Sequence, residues 1–436
     1  MIEPHLDLLL AQNQTIWALY HVPILVFLFM FGACVGSFLN VVIYRLPEGM
    51  SVISPPSRCP TCGAKLRFFR ENLPILGWFM LRGRCRFCGV KISPQYMIIE
   101  TLMALLMVGL YVVLIVPGNN TPWWGQIGGP WWHANGFIRA WPVFIAFAFL
   151  IASLVAMTMI DARTFTIPIQ IPLFVTFTAF IAYPLQVILP HRTPTSQTWP
   201  IPGVSWQWFA VAVGGTLGVV ISVLLLRLGK LRYSFADYEQ YVPEGEVFGD
   251  YPHARREMGR ELVFLLPCIV GLAAGGLIGS LLPATAPPQF IQALGGTFIG
   301  YLVGGAMIWV TRILGTLAVG REAMGLGDVH LLAAVGAVLG WFDVIMIFFI
   351  APFSGLAWAL LSMGLGTVFR KMKRELPYGP HLAVATVVLI LCRPAVNGAW
   401  SIMLPTVPRP KAGFVTGSQA APGPFPTPLP PPAPQP

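Results

Sequence analysis

Four of the seven cysteines stand as Cys59-x2-Cys62 and Cys85-x2-Cys88, with 22 residues between the pairs and a glycine after each, Gly63 and Gly89. Two cysteines spaced this way on a tight turn present both thiolates to one ion. The glycine permits the turn's backbone, and two such knuckles close a tetrahedral shell of zinc-ribbon type. A closed four-thiolate shell leaves no position open to substrate, so zinc bound there is structural. A loop of about fifty residues is too small for a large core and would take its folding energy from the ion. Disulfides are the competing use of the same thiols, and the redox side of the loop decides between them. Cys34, Cys268 and Cys392 stand singly in apolar runs and read as packing residues.

Three aspartates stand out against the apolar background. Asp161 follows Met159-Ile160 at the end of a long apolar run that restarts a few residues later, around Ile167-Pro168. By itself it could be a helix-end acid at the water interface. Asp328 lies in Met324-Gly325-Leu326-Gly327-Asp328-Val329-His330, where Gly325 and Gly327 let the backbone turn closely just before a helix. It could be an N-cap, although capping alone asks for neither Gly-x-Gly in front nor a second acid at matching depth. Asp343 follows the short apolar stretch after Asp328 and reads as its polar end.

The elements that must hold these residues are membrane helices. Of the 436 residues 56% are hydrophobic and only 10% charged, against about 25% charged in soluble domains. With a mean hydropathy of +0.71, the composition excludes secreted, fibrous and disulfide-scaffold proteins. Apolar windows long enough to span fall near 16–44, 96–117, 139–160, 167–189, 206–227, 261–282, 289–311, 344–369 and 380–403. A shorter one, 329–342, can cross only within protein or as half of a tight hairpin. The fold class is therefore an all-α polytopic membrane protein of about 8 to 10 transmembrane helices with a small four-cysteine zinc-ribbon-like loop. Glu3 and Asp7 stand before the first span in place of a basic segment, so a cleaved signal peptide is not expected.

Charge sets the orientation. Residues 45–95 hold nine Lys or Arg (Arg45, Arg58, Lys65, Arg67, Arg70, Arg82, Arg84, Arg86, Lys91) against Glu48 and Glu71, which places that loop in the cytoplasm. The uncharged, Trp-rich 118–138 loop fits the far side. Alternation then puts Asp161, the 228–260 and 312–328 loops and the basic Arg370–Arg374 cluster inside. The same rule accounts for the net charge of +10 without a nucleic-acid partner, and a reducing cytoplasm favours metal over disulfide at the four cysteines. The mixed-charge 228–260 loop reads as a solvated connector. Residues 422–436 carry nine prolines, and the stretch from Pro405 reads as an extended tail.

Four full crossings separate Asp161 from Asp328, so both carboxylates lie at the cytoplasmic edge and can meet. Two carboxylates within a few ångströms cannot both ionise freely, so they share a proton. The ionised member can take a proton from water while the protonated one polarises a peptide carbonyl, which is amide hydrolysis without a catalytic metal or covalent intermediate. No Ser–His–Asp set, His-Glu-x-x-His or phosphate-cradling loop offers other chemistry. The rivals are an ion- or proton-coupled transporter using Asp161 and Asp328, a presenilin-like intramembrane protease, and a non-catalytic zinc-dependent assembly factor. A transporter would show inverted repeats with broken helices in both halves, and only one Gly-interrupted site is present.

These residues resemble the prepilin peptidases of the type IV leader peptidase family. The likeness runs through Gly36 to Pro47, Ser57 to Gly63, Glu71 to Pro74, Arg82 to Gly89, Tyr96 to Glu100, Asp161 to Pro168, Glu322 to Asp328 with Gly336 to Gly340, and Pro377 to Pro380. It implies a GxGD aspartic protease with Asp161 and Asp328 catalytic, Gly325 and Gly327 shaping the turn, and Cys59, Cys62, Cys85 and Cys88 holding metal in the bacterial zinc-loop form. It further implies prepilin or pseudopilin substrates cut after a glycine on the cytoplasmic face of the bacterial inner membrane. In many members the new N-terminus is then methylated from S-adenosylmethionine, whose binding residues the sequence leaves unassigned. His330 stands where lysine is usual and Ile169 where an acid often follows Ile-Pro. The family usually has one span where this chain has three, so 206–288 reads as an added helical hairpin. The expected division is 1–44 (first span), 45–95 (cysteine loop), 96–205 (spans with Asp161), 206–288 (hairpin), 289–403 (spans with the Gly-x-Gly-Asp turn) and 404–436 (tail).

Overall fold

The computed structural model describes residues 14–59, 61–67, 71–116, 127–189, 203–241, 251–364 and 377–403. Arg70, residues 118–126, Glu244, Glu246 and Asp250 of the 228–260 loop, the Arg370–Arg374 cluster and the Pro-rich tail lie outside the described residues.

The described chain is helical: α1 Gln14–Arg45, α2 Leu76–Met80, α3 Gln95–Ile115, α4 Gly129–Thr164, α5 Gln170–Ile188, α6 Trp206–Arg227, α7 Tyr238–Tyr241, α8 Ala254–Ser280, α9 Gln289–Val319, α10 Leu326–Leu339, α11 Trp341–Gly364, α12 Tyr378–Leu391 and α13 Arg393–Met403. Eight of these are long and apolar enough to cross a membrane, with α10 and α12 as shorter apolar helices. The 139–160 window grows into α4, which bends at Gly136 (φ 62°). The 380–403 window is not one span: it breaks at Cys392 into helices of 14 and 11 residues. The cause is Pro394, which has no N–H for the next helical bond and clashes with the preceding turn. At about 21 Å, α12 falls short of a ~30 Å hydrocarbon core. Asp343 sits in the first turn of α11 rather than at the end of α10, and Arg393 of α13 pairs with it.

Lipid supplies no hydrophobic drive between helices, so packing relies on close backbone approach at small residues. A methyl group at Gly214 of α6 would lie 2.1 Å from the Gly271 carbonyl oxygen of α8, and one at Gly218 would lie 2.2 Å from that of Pro267. The same contact joins α9 to α10, where a methyl at Gly300 would meet the Gly336 oxygen at 2.0 Å, and α1 to α3, where Gly36 faces the Glu100 Cα at 2.6 Å. Around these pairs α4, α5, α9, α11 and α12 enclose α10. From Asp328 to Leu339 every residue of α10 except His330 is buried, which is how so short a helix is tolerated at membrane depth. Tyr183 of α5 secures its far end by donating to the Val338 carbonyl.

Candidate active site

Asp161 lies in the last turn of α4. The helix ends where Phe165 takes the left-handed conformation (φ 53°) and its N–H closes on the Asp161 carbonyl at 2.9 Å. The chain then runs through Ile167-Pro168 into α5, and Ile167 packs beside Gly327. A methyl at Gly327 would come within 2.9 Å of the Ile167 Cβ, so the second glycine of the turn is required by contact rather than by dihedral angle. Gly325 is the N-cap of α10, which puts Asp328 at the third helical position, not at the cap. A carboxylate there faces the unpaired N–H groups of the first turn, the Gly325 N–H among them.

The third wall is Gly379, at the start of α12. A methyl on it would lie 2.6 Å from Asp161 Oδ2 and 3.3 Å from Asp328 Oδ1, so both carboxylates converge on one glycine. The Gly379 backbone N–H bonds Asp161. Both aspartates are buried, 5% and 7% exposed. The expected meeting of residues from α4 and α10 is therefore realised, and Gly325 and Gly327 both line it. Gly379 lay within a stretch of sequence likeness, but its place between the acids was not legible, because nothing local in Pro377-Tyr378-Gly379-Pro380 tells what it faces.

The cysteine loop joins α1 to α3. Its two knuckles repeat one geometry: Cys59 N–H donates to Ala64 O at 2.9 Å and Cys85 N–H to Val90 O at 2.8 Å, while Gly63 and Gly89 both take φ 70°. Arg58 bridges to Lys65 and Arg84 to Lys91. The Sγ atoms of Cys59, Cys62, Cys85 and Cys88 all lie within 4.8 Å of one another, with Cys59–Cys88 at 3.8 Å and Cys62–Cys85 at 4.0 Å. Zinc–sulfur bonds of about 2.3 Å in a tetrahedron require sulfur separations near 3.8 Å, so the cluster fits a metal ion. Backbone N–H groups of Cys62 and Thr61 hold the Cys59 thiol below its usual range, while the neighbouring thiols raise Cys88, so the four titrate as one set.

Two acids at the loop and its junction with α3 are buried. Glu71 is buried, accepts from Arg67 N–H at 3.0 Å and faces Arg86, and Glu100 of α3 accepts from Ile75 N–H at 2.6 Å. Cys34 is exposed rather than packed. With Ser37, Phe38, Arg45, Asn72 and Pro74 it lines a cavity of about 270 Å³ between α1 and the loop.

The fold is that of a polytopic helical membrane protein with two acids meeting at helix ends and a four-thiolate knuckle, and sequence comparison says what such a chain is similar to. Residues 30–114 match the bacterial peptidase A24 N-terminal domain, and residues 261–360 match the type IV leader peptidase family. The chain is similar to that family over these two segments. A prepilin leader peptidase/N-methyltransferase of Myxococcus xanthus (strain DK1622) is 57% identical over 81 residues, which cover 19% of this chain and 24% of that protein. Proteins of the same description from Aeromonas salmonicida (strain A449) and Dickeya chrysanthemi are each 26% identical over 389 and 397 residues. Those alignments cover 83% and 86% of this chain and 89% and 94% of the relatives. No solved structure matches it.

Proposed function

We propose that the protein is an aspartic endopeptidase that removes the basic leader of type IV prepilins or pseudopilins after a glycine, and then methylates the new N-terminus from S-adenosylmethionine. The observation that carries the reading is the convergence of Asp161 and Asp328 on Gly379, in a chain similar at both ends to prepilin leader peptidase/N-methyltransferases. Held this close, the two carboxylates share one proton. The ionised one accepts a proton from the attacking water, and the protonated one donates to the scissile carbonyl oxygen. The C–O bond forms, the C–N bond breaks, and the departing amine leaves with the second proton. Water attacks directly, so no acyl-enzyme forms.

Zinc in the four-thiolate shell holds the loop's fold and takes no part in the cleavage. In this reading the loop and the dyad face the cytoplasm across the bacterial inner membrane. Residues 206–288 form an added hairpin of α6 and α8, the second of which the family match enters at Glu261. Incubating purified protein with a prepilin-like peptide and weighing the product reports cleavage and methylation separately. Asp161→Asn and Asp328→Asn should each abolish cleavage in protein that still folds, and an active Asp161→Asn would return that residue to the role of a helix-end acid.

A further inference from the structure

One buried charged residue lies about two turns before the C-terminal end of α9 and plays no part in the chemistry above. Arg312 is 1% exposed. Its Nε donates to Glu261 of α8 at 2.9 Å, its Nη1 donates to Glu322, and the same nitrogen donates to the backbone carbonyl of Met324. Met324 immediately precedes the Gly-x-Gly-Asp turn. The guanidinium face is covered by the Phe235 ring, 5.2 Å from its centroid, and Glu261 takes a further bond from Trp309 Nε1 at 2.8 Å. Phe235 is in turn held by Glu257, which accepts from its N–H at 3.0 Å and pairs with Arg260 at 2.7 Å.

An ionisable side chain inside a span is expensive unless it is paired and used. Here every bond of one guanidinium runs between the α6–α8 side of the molecule and the strand of chain that delivers Asp328. The end of α9 is tied both to that segment and to α8. Thr316 Oγ1 accepts from Ala323 N–H at 3.1 Å, and Arg255 Nε donates to the Leu317 carbonyl at 3.0 Å near the end of α9.

We infer that Arg312 and Glu261 are positioning residues for the peptidase reaction: together they clamp the Met324 carbonyl and so set where Asp328 stands relative to Asp161. The hairpin of α6 and α8 is thereby part of the catalytic scaffold. The inference rests on the aspartate-dyad reading and extends it to a residue pair that touches neither substrate nor the reacting atoms.

Clamping and simple stabilisation are separable, because replacing both partners of a buried ion pair with apolar side chains removes the orphaned charge that makes single replacements destabilising. The test uses the full-length protein in detergent with a prepilin-like peptide, measuring kcat, KM and melting temperature for Arg312→Lys, for the double variant Glu261→Leu/Arg312→Met, and for Asp328→Asn. A carbonyl released from its donor lets the turn drift, and a misplacement of about 1 Å costs on the order of 10²-fold in rate. The expected result is therefore a kcat lowered by about that factor with KM changed by less than about twofold, in a double variant that melts near the unaltered protein. A double variant with restored melting and unaltered kcat would overturn the inference. If the double variant does not fold, Arg312→Lys decides, since it keeps the charge and loses the forked geometry; unaltered kcat there overturns the inference as well. An active Asp328→Asn would instead remove the dyad reading on which it stands.

Discussion

Gly379 is the residue at which geometry makes the sharpest demand. Replacing it with alanine places a carbon 2.6 Å from Asp161 Oδ2, where ordinary van der Waals contact begins near 3.4 Å. The carboxylate must therefore retreat by about 0.8 Å, or α12 must move by as much. Productive geometry tolerates about 0.5 Å, so a loss on the order of 10²-fold in kcat is expected, equal to about 2.7 kcal/mol of barrier. Stability moves far less. Gly379 sits in the first turn of α12, where alanine is favoured over glycine by up to ~1 kcal/mol, which offsets part of an overpacking cost of about 1–3 kcal/mol. Single-turnover cleavage of a prepilin-like peptide, followed by mass, reads the rate, and thermal melting in detergent reads the fold. A Gly379→Ala protein that melts normally and cleaves at the unaltered rate would show that the reaction does not pass through the two carboxylates as they are arranged here.

The cysteine cluster should carry one zinc per chain by elemental analysis, and Cys59→Ser with Cys85→Ser should lose the metal and make the 45–95 loop sensitive to protease; metal-free protein with an equally resistant loop would refute the assignment. Gly300→Val should destabilise the protein by several kcal/mol because its Cβ would meet the Gly336 oxygen at 2.0 Å, and an unchanged melting temperature would mean that α9 and α10 are not in contact. Neutralising Arg82, Arg84 and Lys91 together should disturb insertion, measured with a cytoplasm-specific reporter, before it slows correctly inserted enzyme; a large loss of rate at unchanged topology would place the loop on the substrate or methyl donor.

Hydropathy was enough to find the long helices, since a segment that must satisfy its own backbone in lipid announces itself by length and apolarity alone. The cysteine knuckles were legible for a similar reason: their geometry is local, and two residues on one turn suffice to define it. The meeting of Asp161 and Asp328 followed from counting crossings, a global property that needs no distances. What escaped was either a break inside an apolar run or a contact between distant segments. The interruption at Cys392 carried a signal in Arg393-Pro394, which the hydrophobicity of the surrounding window concealed. Arg312 stood just past the 289–311 window, at the start of the 312–328 loop, and its partners Glu261 and Met324 come from segments that only the folded chain brings together.

The close glycine contacts between α1 and α3 bear on how the cysteine loop is assembled. Gly32 and Gly36 lock these helices at Ala104 and Glu100, so the two ends of the 45–95 loop are tethered side by side by membrane packing. Closing a chain of that length costs entropy that grows with the logarithm of its length, and the helix pair has already met that cost when metal arrives. The ion then has only to gather two preformed turns. Biogenesis would accordingly run in a fixed order, hairpin insertion first and metallation second. A newly made chain starved of metal would wait in the bilayer with its helices paired and its knuckles open, a state from which it can still be rescued.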